Sequence, residues 1–399
     1  VKIFNSLGSN YDFKSAFNHL FSHGSQKDYE QLRQSLSERF GGDAFLFYKG
    51  REALKQALLA ADLPKDASVA INGFTCYAVD EAVTKAGLNP MYLDIDETQL
   101  HFTADTLRKI AEQDSSLKAV IVQNTLGYAC DIVEIEKVCK EYDLTLIEDL
   151  AHSLGMHYPD GRLAGTVGDY VMLTFGRDKV IDAVSGGALI IRKNVSDKWL
   201  NNLQNNRHQP TARQRLVDRT YPFSTWSIRA TYGIGVGKVK QVFLRKLGFL
   251  PRATDGSFDG FTDLPPSYAR EINRLLKALD KNLIHRQKIA TIYRSELNKK
   301  LLLNSKQVDG AVELRLPIRV DKRHKLLRFL KASGINIADI WYDAPIAPPR
   351  FMRQTAYRLG NCPASEVACG SLINLPTHIN INEEKARKIV GKINEFTKV

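Results

Sequence analysis

Lys179 stands in the stretch LTFGRDKVIDAVSGGALII (173 to 191), between two apolar runs that both read as strands, and Asp149 closes another apolar run, LTLIED (144 to 149). A lysine that loses its proton near neutral pH, by desolvation or beside another positive charge, can form a Schiff base with a carbonyl. The common cofactor with a reactive aldehyde on a pyridine ring is pyridoxal phosphate. Its ring needs a carboxylate that keeps the nitrogen protonated. Its phosphate needs amides and hydroxyls, best supplied at a helix N-terminus. Asp149 at a strand end suits the first need. Gly50 and Arg51 at the start of a helix, with Thr174 on the strand before Lys179, suit the second. Each feature has a plainer reading: a strand-ending Asp is commonly a helix cap, and a lysine at a strand end can be a solvated edge. The weight lies in their convergence with the glycines Gly186 and Gly187.

The elements that must position these groups alternate. SVAI (68 to 71), PMYLDID (90 to 96), KAVIVQN (118 to 124) and LTLIED read as strands. Between and before them, 51 to 61, 79 to 87, 103 to 113 and 131 to 142 read as helices. Continuous apolar strands alternating with helices predict an α/β fold, a mainly parallel sheet covered on both faces. Ligands of such sheets gather at the carboxyl ends of the strands, where Asp149 lies. Residues 1 to 40 read as mostly helical, with a surface helix over 28 to 40. Residues 268 to 298 predict one or two long helices. A strand over 312 to 320, a helix over 325 to 334 and a final helix from about 383 complete a smaller C-terminal α/β domain. The expected division is 1–262 for the large domain and 263–399 for the small one.

A chain of 399 residues is too long for one simple core. With 44% hydrophobic and 25% charged residues it has the composition of an ordinary globular protein. No run of 18 apolar residues suggests a spanning helix, and the first residues lack a leader's basic start and apolar core. The five cysteines are odd in number, widely spaced and without a CxxC pair. They indicate neither a disulfide framework nor a zinc site, so no metal is expected and a cytoplasmic location is. The net charge of +12 raises the question of an anionic partner. No nucleic-acid module is recognisable, so specific nucleic-acid binding is not expected. Part of the charge is concentrated in residues 219 to 254. That segment has no acid, seven bases, and aromatic and aliphatic residues between them. It suits a helical hairpin at a dimer contact, a flap over the site, or peripheral contact with an anionic membrane. His157 and His208 read as surface or packing histidines.

Several of these stretches together resemble the DegT/DnrJ/EryC1/StrS sugar aminotransferases, of pyridoxal-phosphate fold type I. IEDLAHSLG is similar to the family's strand ending in Glu-Asp, which places Asp149 at the pyridine nitrogen and His152, where the family often has Gln, near the ring. TFGRDK resembles Ser-Phe-x-x-x-Lys, so Lys179 takes the position of the cofactor-linked lysine and Thr174 that of the phosphate-binding hydroxyl. Gly186-Gly187 matches the trailing glycine pair, and KGRE matches the phosphate loop, with Gly50 and Arg51 in register. GFTCYAVDEAV resembles the Phe-Thr-aromatic segment, with Cys76 at the ring-stacking position and Tyr77 beside it. LINLPTHININEE resembles the closing Leu-x-Leu-Pro-x-His motif, with His378 as its histidine. Two departures stand out. Arg51 replaces a small hydroxyl residue, and the Asn-Tyr-Arg segment that completes the neighbouring subunit's site is not recognisable near GSFDGFTDLPPSY (256 to 268). The resemblance implies a homodimeric aminotransferase that turns a nucleotide-linked keto sugar into an amino sugar with an amino-acid donor. The open alternatives are dehydration or another elimination with the same cofactor, and a regulatory or binding protein that keeps the fold. A related enzyme that dehydrates sugars has histidine where this chain keeps Lys179.

Overall fold

The structure, a computed structural model, describes residues 2–252, 258–303, 310–338 and 341–398. Seven strands form its main sheet: β1 (Asp43–Phe47), β2 (Ser68–Asn72), β3 (Asn89–Leu93), β4 (Leu117–Gln123), β5 (Thr145–Asp149), β6 (Tyr170–Thr174) and β7 (Gly187–Ile191). Their spatial order is β3-β2-β4-β5-β6-β7-β1. Strand β7 runs antiparallel to both its neighbours, and the other pairs are parallel.

The apolar runs explain the two-sided burial. Side chains alternate across a strand. In β4, Val120 and Val122 enter a core with Leu32, Leu36 and Phe40, while Ala119 and Ile121 enter the opposite core with Leu54, Leu58 and Ile71. Both faces are therefore covered by helices, as a parallel sheet requires.

The C-terminal part has its own core. Strands β8 (Arg315–Arg319) and β9 (Leu372–Pro376) pair antiparallel, and helices Leu279–Glu296, Arg323–Ala332 and Glu383–Thr397 supply Tyr293, Leu326 and Ile389 to one cluster. Residues Ile3–Phe4 pair with Ile335–Asn336, so Ile3 belongs to this C-terminal cluster. Helix Pro266–Leu276 goes the other way, placing Tyr268, Ala269 and Ile272 in the core of the large sheet. The chain thus crosses between the two cores at its first residues and again around residue 270.

One strand was not expected from the sequence: β1, the DAFLF run before helix Gly50–Ala60. The basic segment forms a helical hairpin, one of the forms expected for it, whose first arm is the 20-residue helix Ala212–Thr231, continuous through Pro222. Helix Val236–Lys246 follows and folds back on it. The glycines that argue against a helix there have local work. Gly235 takes φ 87 at the turn, and a Cβ on Gly237 would stand 2.2 Å from the Ile228 carbonyl oxygen, so the two helices touch backbone to backbone. Ala253 and Thr254 of the basic segment, and Gly256 and Ser257 beyond it, lie outside the described residues.

Candidate functional site

The carboxyl ends of β4, β5 and β6 and the first turn of helix Gly50–Ala60 enclose a cavity of about 350 Å³. Asp149, Lys179, Thr174, Gly50, Arg51 and Cys76 all line it. A wider cavity of about 600 Å³ adjoins it, shares Lys179 and Cys76, and has His152 and Trp341 in its wall.

Asp149 ends β5 and is buried. Its Oδ1 accepts the Ala151 amide at 2.8 Å. Burial raises its pKa to about 6, against the pull of that amide and of Lys179. Burial likewise lowers the pKa of Lys179, with Arg315 adding to the shift and Cys76 and Asp149 opposing it. The Lys179 Nζ lies 4.8 Å from the centre of the Trp341 ring. The loop that carries the lysine is pinned by Asp182, which accepts the Asp178 amide at 2.9 Å, the Val184 amide at 3.1 Å and the Tyr11 hydroxyl. Asn10 Nδ2 donates to the carbonyl of Lys179 itself at 3.3 Å.

At the other end of the cavity the backbone comes unusually close. A Cβ on Gly50 would sit 2.5 Å from the Thr174 Cβ, and one on Gly187 would sit 2.6 Å from the Lys49 carbonyl. The glycine pair 186–187 and Gly50 therefore let the helix start rest on β6 and β7. The Thr174 hydroxyl accepts the Gly176 amide at 3.3 Å. Gly187→Val is expected to push this junction open, lowering the stability by about 1–3 kcal/mol in a urea titration.

His152 is buried and stacks on Trp341 with ring centres 5.1 Å apart. Its Nδ1 accepts the Leu126 amide at 3.1 Å, which leaves the proton of the neutral ring on Nε2, 3.2 Å from the Tyr342 hydroxyl. Burial, with Lys179 and Arg315 nearby, holds its pKa well below the usual range, so the ring is neutral. Arg51 pairs with Glu81 at 3.4 Å. Tyr77 is the first residue of helix Tyr77–Lys85, one position and about 100° round the helix from Cys76. It stacks on Phe351 at 4.4 Å, bonds Gln354 at 3.1 Å and lines neither cavity. His378 is also elsewhere. It lines a separate cavity against Phe4, whose carbonyl takes its Nε2 proton at 2.9 Å.

Sequence reasoning missed several residues of the wall. Gln123 ends β4 and bonds Thr75 at 2.6 Å and Tyr342 at 3.1 Å; its place at a strand's carboxyl end was the available signal. Lys49 precedes Gly50 and donates to Ser185 at 2.8 Å. Burial of its ammonium lowers its pKa to about 8. Ser185 donates in turn to Asp218 at 2.6 Å, which also receives Tyr48 at 2.6 Å and Arg177 at 2.9 Å. Asp218 comes from helix Ala212–Thr231, more than thirty positions along the chain from Ser185 in the same network, so no local pattern announces it.

The donor set fits pyridoxal phosphate: a buried carboxylate and a desolvated lysine on one side, a hydroxyl, a helix start and a second lysine on the other. The chain matches the DegT/DnrJ/EryC1/StrS aminotransferase family over residues 30–226 and 271–394. Among relatives, it is 26% identical over 352 residues to a pleiotropic regulatory protein of Geobacillus stearothermophilus, covering 87% of this chain and 83% of that one. It is 24% identical over 358 residues to the GDP-perosamine synthase of Vibrio cholerae, covering 87% and 84%. Among solved structures, Helicobacter pylori PseC, an aminotransferase involved in the biosynthesis of pseudoaminic acid, superposes with a TM-score of 0.73 at 16% identity over 100% of both chains. With the match spanning both cores and both halves of the cavity wall, the chain belongs to the DegT/DnrJ/EryC1/StrS aminotransferase family.

Proposed function

We propose that this protein is a pyridoxal-phosphate-dependent aminotransferase that turns a keto sugar, carried on a nucleotide, into an amino sugar with an amino-acid donor. The observation that carries the reading is the convergence of buried Asp149 and desolvated Lys179 on one cavity, opposite the helix start at Gly50. Bound pyridoxal phosphate would supply an aldehyde and an electron-withdrawing ring. The residues do the rest. Asp149 holds a proton on the ring nitrogen. Lys179, whose neutral form burial favours, takes the proton from the carbon next to the donor's nitrogen and returns it at the acceptor. Thr174, the amides at Gly50 and the Lys49 ammonium hold the phosphate. Neutral His152, backed by Trp341, walls the ring side against water. Arg51 and Cys76 border the cofactor, while the placement of Tyr77 and His378 supports neither cofactor nor substrate contact for them.

The named relative that makes a nucleotide-linked amino sugar favours this substrate class. The relative named as a regulatory protein keeps a second reading in view. A single experiment separates them: incubation with pyridoxal phosphate, glutamate and a panel of nucleotide-linked keto sugars, read by mass spectrometry. Formation of an amino sugar is expected. Saturable cofactor binding with no turnover of any donor or sugar would favour the regulatory reading, and loss of a sugar hydroxyl without nitrogen gain would favour dehydration.

The Lys49 assignment makes its own prediction. Lys49→Met weakens pyridoxine 5'-phosphate by about tenfold to a hundredfold, the worth of a charge-assisted bond, and leaves unphosphorylated pyridoxine unchanged. Below pH 8 the free Lys49 is charged and ready for the dianion, and above it binding must recruit a proton. Wild-type affinity therefore falls as pH rises past about 8, while the variant gives a flat profile. Titration by fluorescence quenching reads both.

The family resemblance supports a homodimer, and the five free cysteines suit a reducing compartment such as the cytoplasm. Among the described residues no helix is long and apolar enough to cross a membrane.

A further inference from the structure

Helix Val236–Lys246 lies in the stretch 227–270 that the family match leaves out. Its inner side is anchored. Gly237 is buried against Ile228, Leu244 packs into the cluster around Tyr221, and Lys240 donates to Ser227 at 2.6 Å. Its outer side carries Val236, Val239, Val242, Phe243 and Leu247, all exposed; Val239 is 72% exposed and Phe243 59%. At 3.6 residues per turn these five fall on one arc. Ile234, 79% exposed, sits just before the helix. Exposed Lys238, Arg245 and Lys246 lie beside this arc or within it, and no acid occurs between Arg219 and Arg252.

An exposed apolar face of this size asks for an occupant. Charge decides between the candidates. A second copy pairing this helix with itself about a two-fold axis would bring the same cations face to face with no acid on the helix to answer them. A bilayer of anionic lipid answers both features, taking the valines and phenylalanine into its interface and the lysines against its headgroups.

We propose that helix Val236–Lys246 docks this protein onto the surface of an anionic lipid bilayer. Gln241 and Arg245 of the same helix line the wider cavity beside Lys179. Docking brings the mouth of that cavity to within about one helix diameter, ~10 Å, of the lipid. The inference goes beyond the aminotransferase reading and does not depend on it.

The test is co-sedimentation of the full chain with vesicles of phosphatidylcholine alone and with about one third phosphatidylglycerol, at low and high salt. Two variants accompany it, Val239→Ser/Val242→Ser/Phe243→Ser and Lys238→Gln/Lys246→Gln, each checked by circular dichroism and cofactor binding. The wild type is expected to bind the anionic vesicles and release them in high salt. The apolar variant is expected to lose binding, and the charge variant to weaken it by about fivefold per lysine removed. Absence of wild-type binding, equal binding to both vesicle types, or full binding by the folded apolar variant would each overturn the proposal. So would light scattering that shows the apolar variant changing a dimer to a monomer while the wild type ignores vesicles; that face would then be a contact between copies. A failed cofactor reading would instead show as no pyridoxal phosphate binding, with vesicle binding intact.

Discussion

Lys179→Ala is expected to lower amino transfer by about 10⁴-fold, the upper end of what a positioned general acid–base contributes. The yellow colour of lysine-linked cofactor should be absent from the variant, while affinity for pyridoxine 5'-phosphate, which has no aldehyde, stays within a few-fold of wild type. The physical ground is that Lys179 lines both cavities, with its amine desolvated and set against Trp341. Lys179→Arg tests positioning against chemistry, because arginine keeps the charge but does not deprotonate. It should be as inactive as the alanine variant. Substantial turnover by either, measured by mass spectrometry over one hour, would remove Lys179 from the chemistry.

Asp149→Asn carries the second large effect. Losing the carboxylate that holds the ring proton is expected to reduce turnover by about 10²–10³-fold, comparable with removing one preorganised electrostatic partner. The same substitution should stabilise the cofactor-free protein. Burial raises the pKa of Asp149 from 3.8 to about 6, so the folded state keeps a proton that the unfolded state releases. Stability is unaffected well below pH 4, falls as pH rises through the interval, and is lower by about 3 kcal/mol above pH 6. Asparagine carries no such penalty. Urea titrations at pH 4 and pH 7.5 should show the variant gaining stability at the higher pH only. An equal change at both would mean that the effect is packing rather than charge. Wild type with pyridoxal phosphate should recover the difference, because the ring proton gives the buried carboxylate its partner. A function that strains its own scaffold in this way is common at active sites.

How the sequence related to these outcomes differs by element. Helices 28 to 40, 51 to 61 and 131 to 142 and the strands around 68, 118 and 144 were legible because each needs only a local pattern: amphipathic spacing, or a run of β-branched residues long enough to be buried on both sides. Helix Ala212–Thr231 was anticipated only as one arm of a helical hairpin within 219 to 254, one of three readings, because the contacts of Tyr221 and Ile228 that hold it through Pro222 are tertiary. Val236–Lys246 was blurred by glycines whose purpose, a close crossing at Ile228, exists only once the two helices meet.

For the site, the sequence by itself supplied the chemistry: Asp149 at a strand end, Lys179 after a strand, and the glycines that mark close backbone approach. Those are properties of residue type and strand position, so one dimension suffices. Tertiary structure alone decided which groups share a wall. It placed Lys49, Ser185, Arg177 and Asp218 in one hydrogen-bonded set across distant segments, stacked His152 on Trp341, and carried Tyr77 and His378 away from the cavity. It also decided that helix Val236–Lys246 of the basic segment shows its apolar side to solvent. Side-chain direction across a crossing of elements depends on the angle and register of that crossing, and no spacing along the chain encodes it.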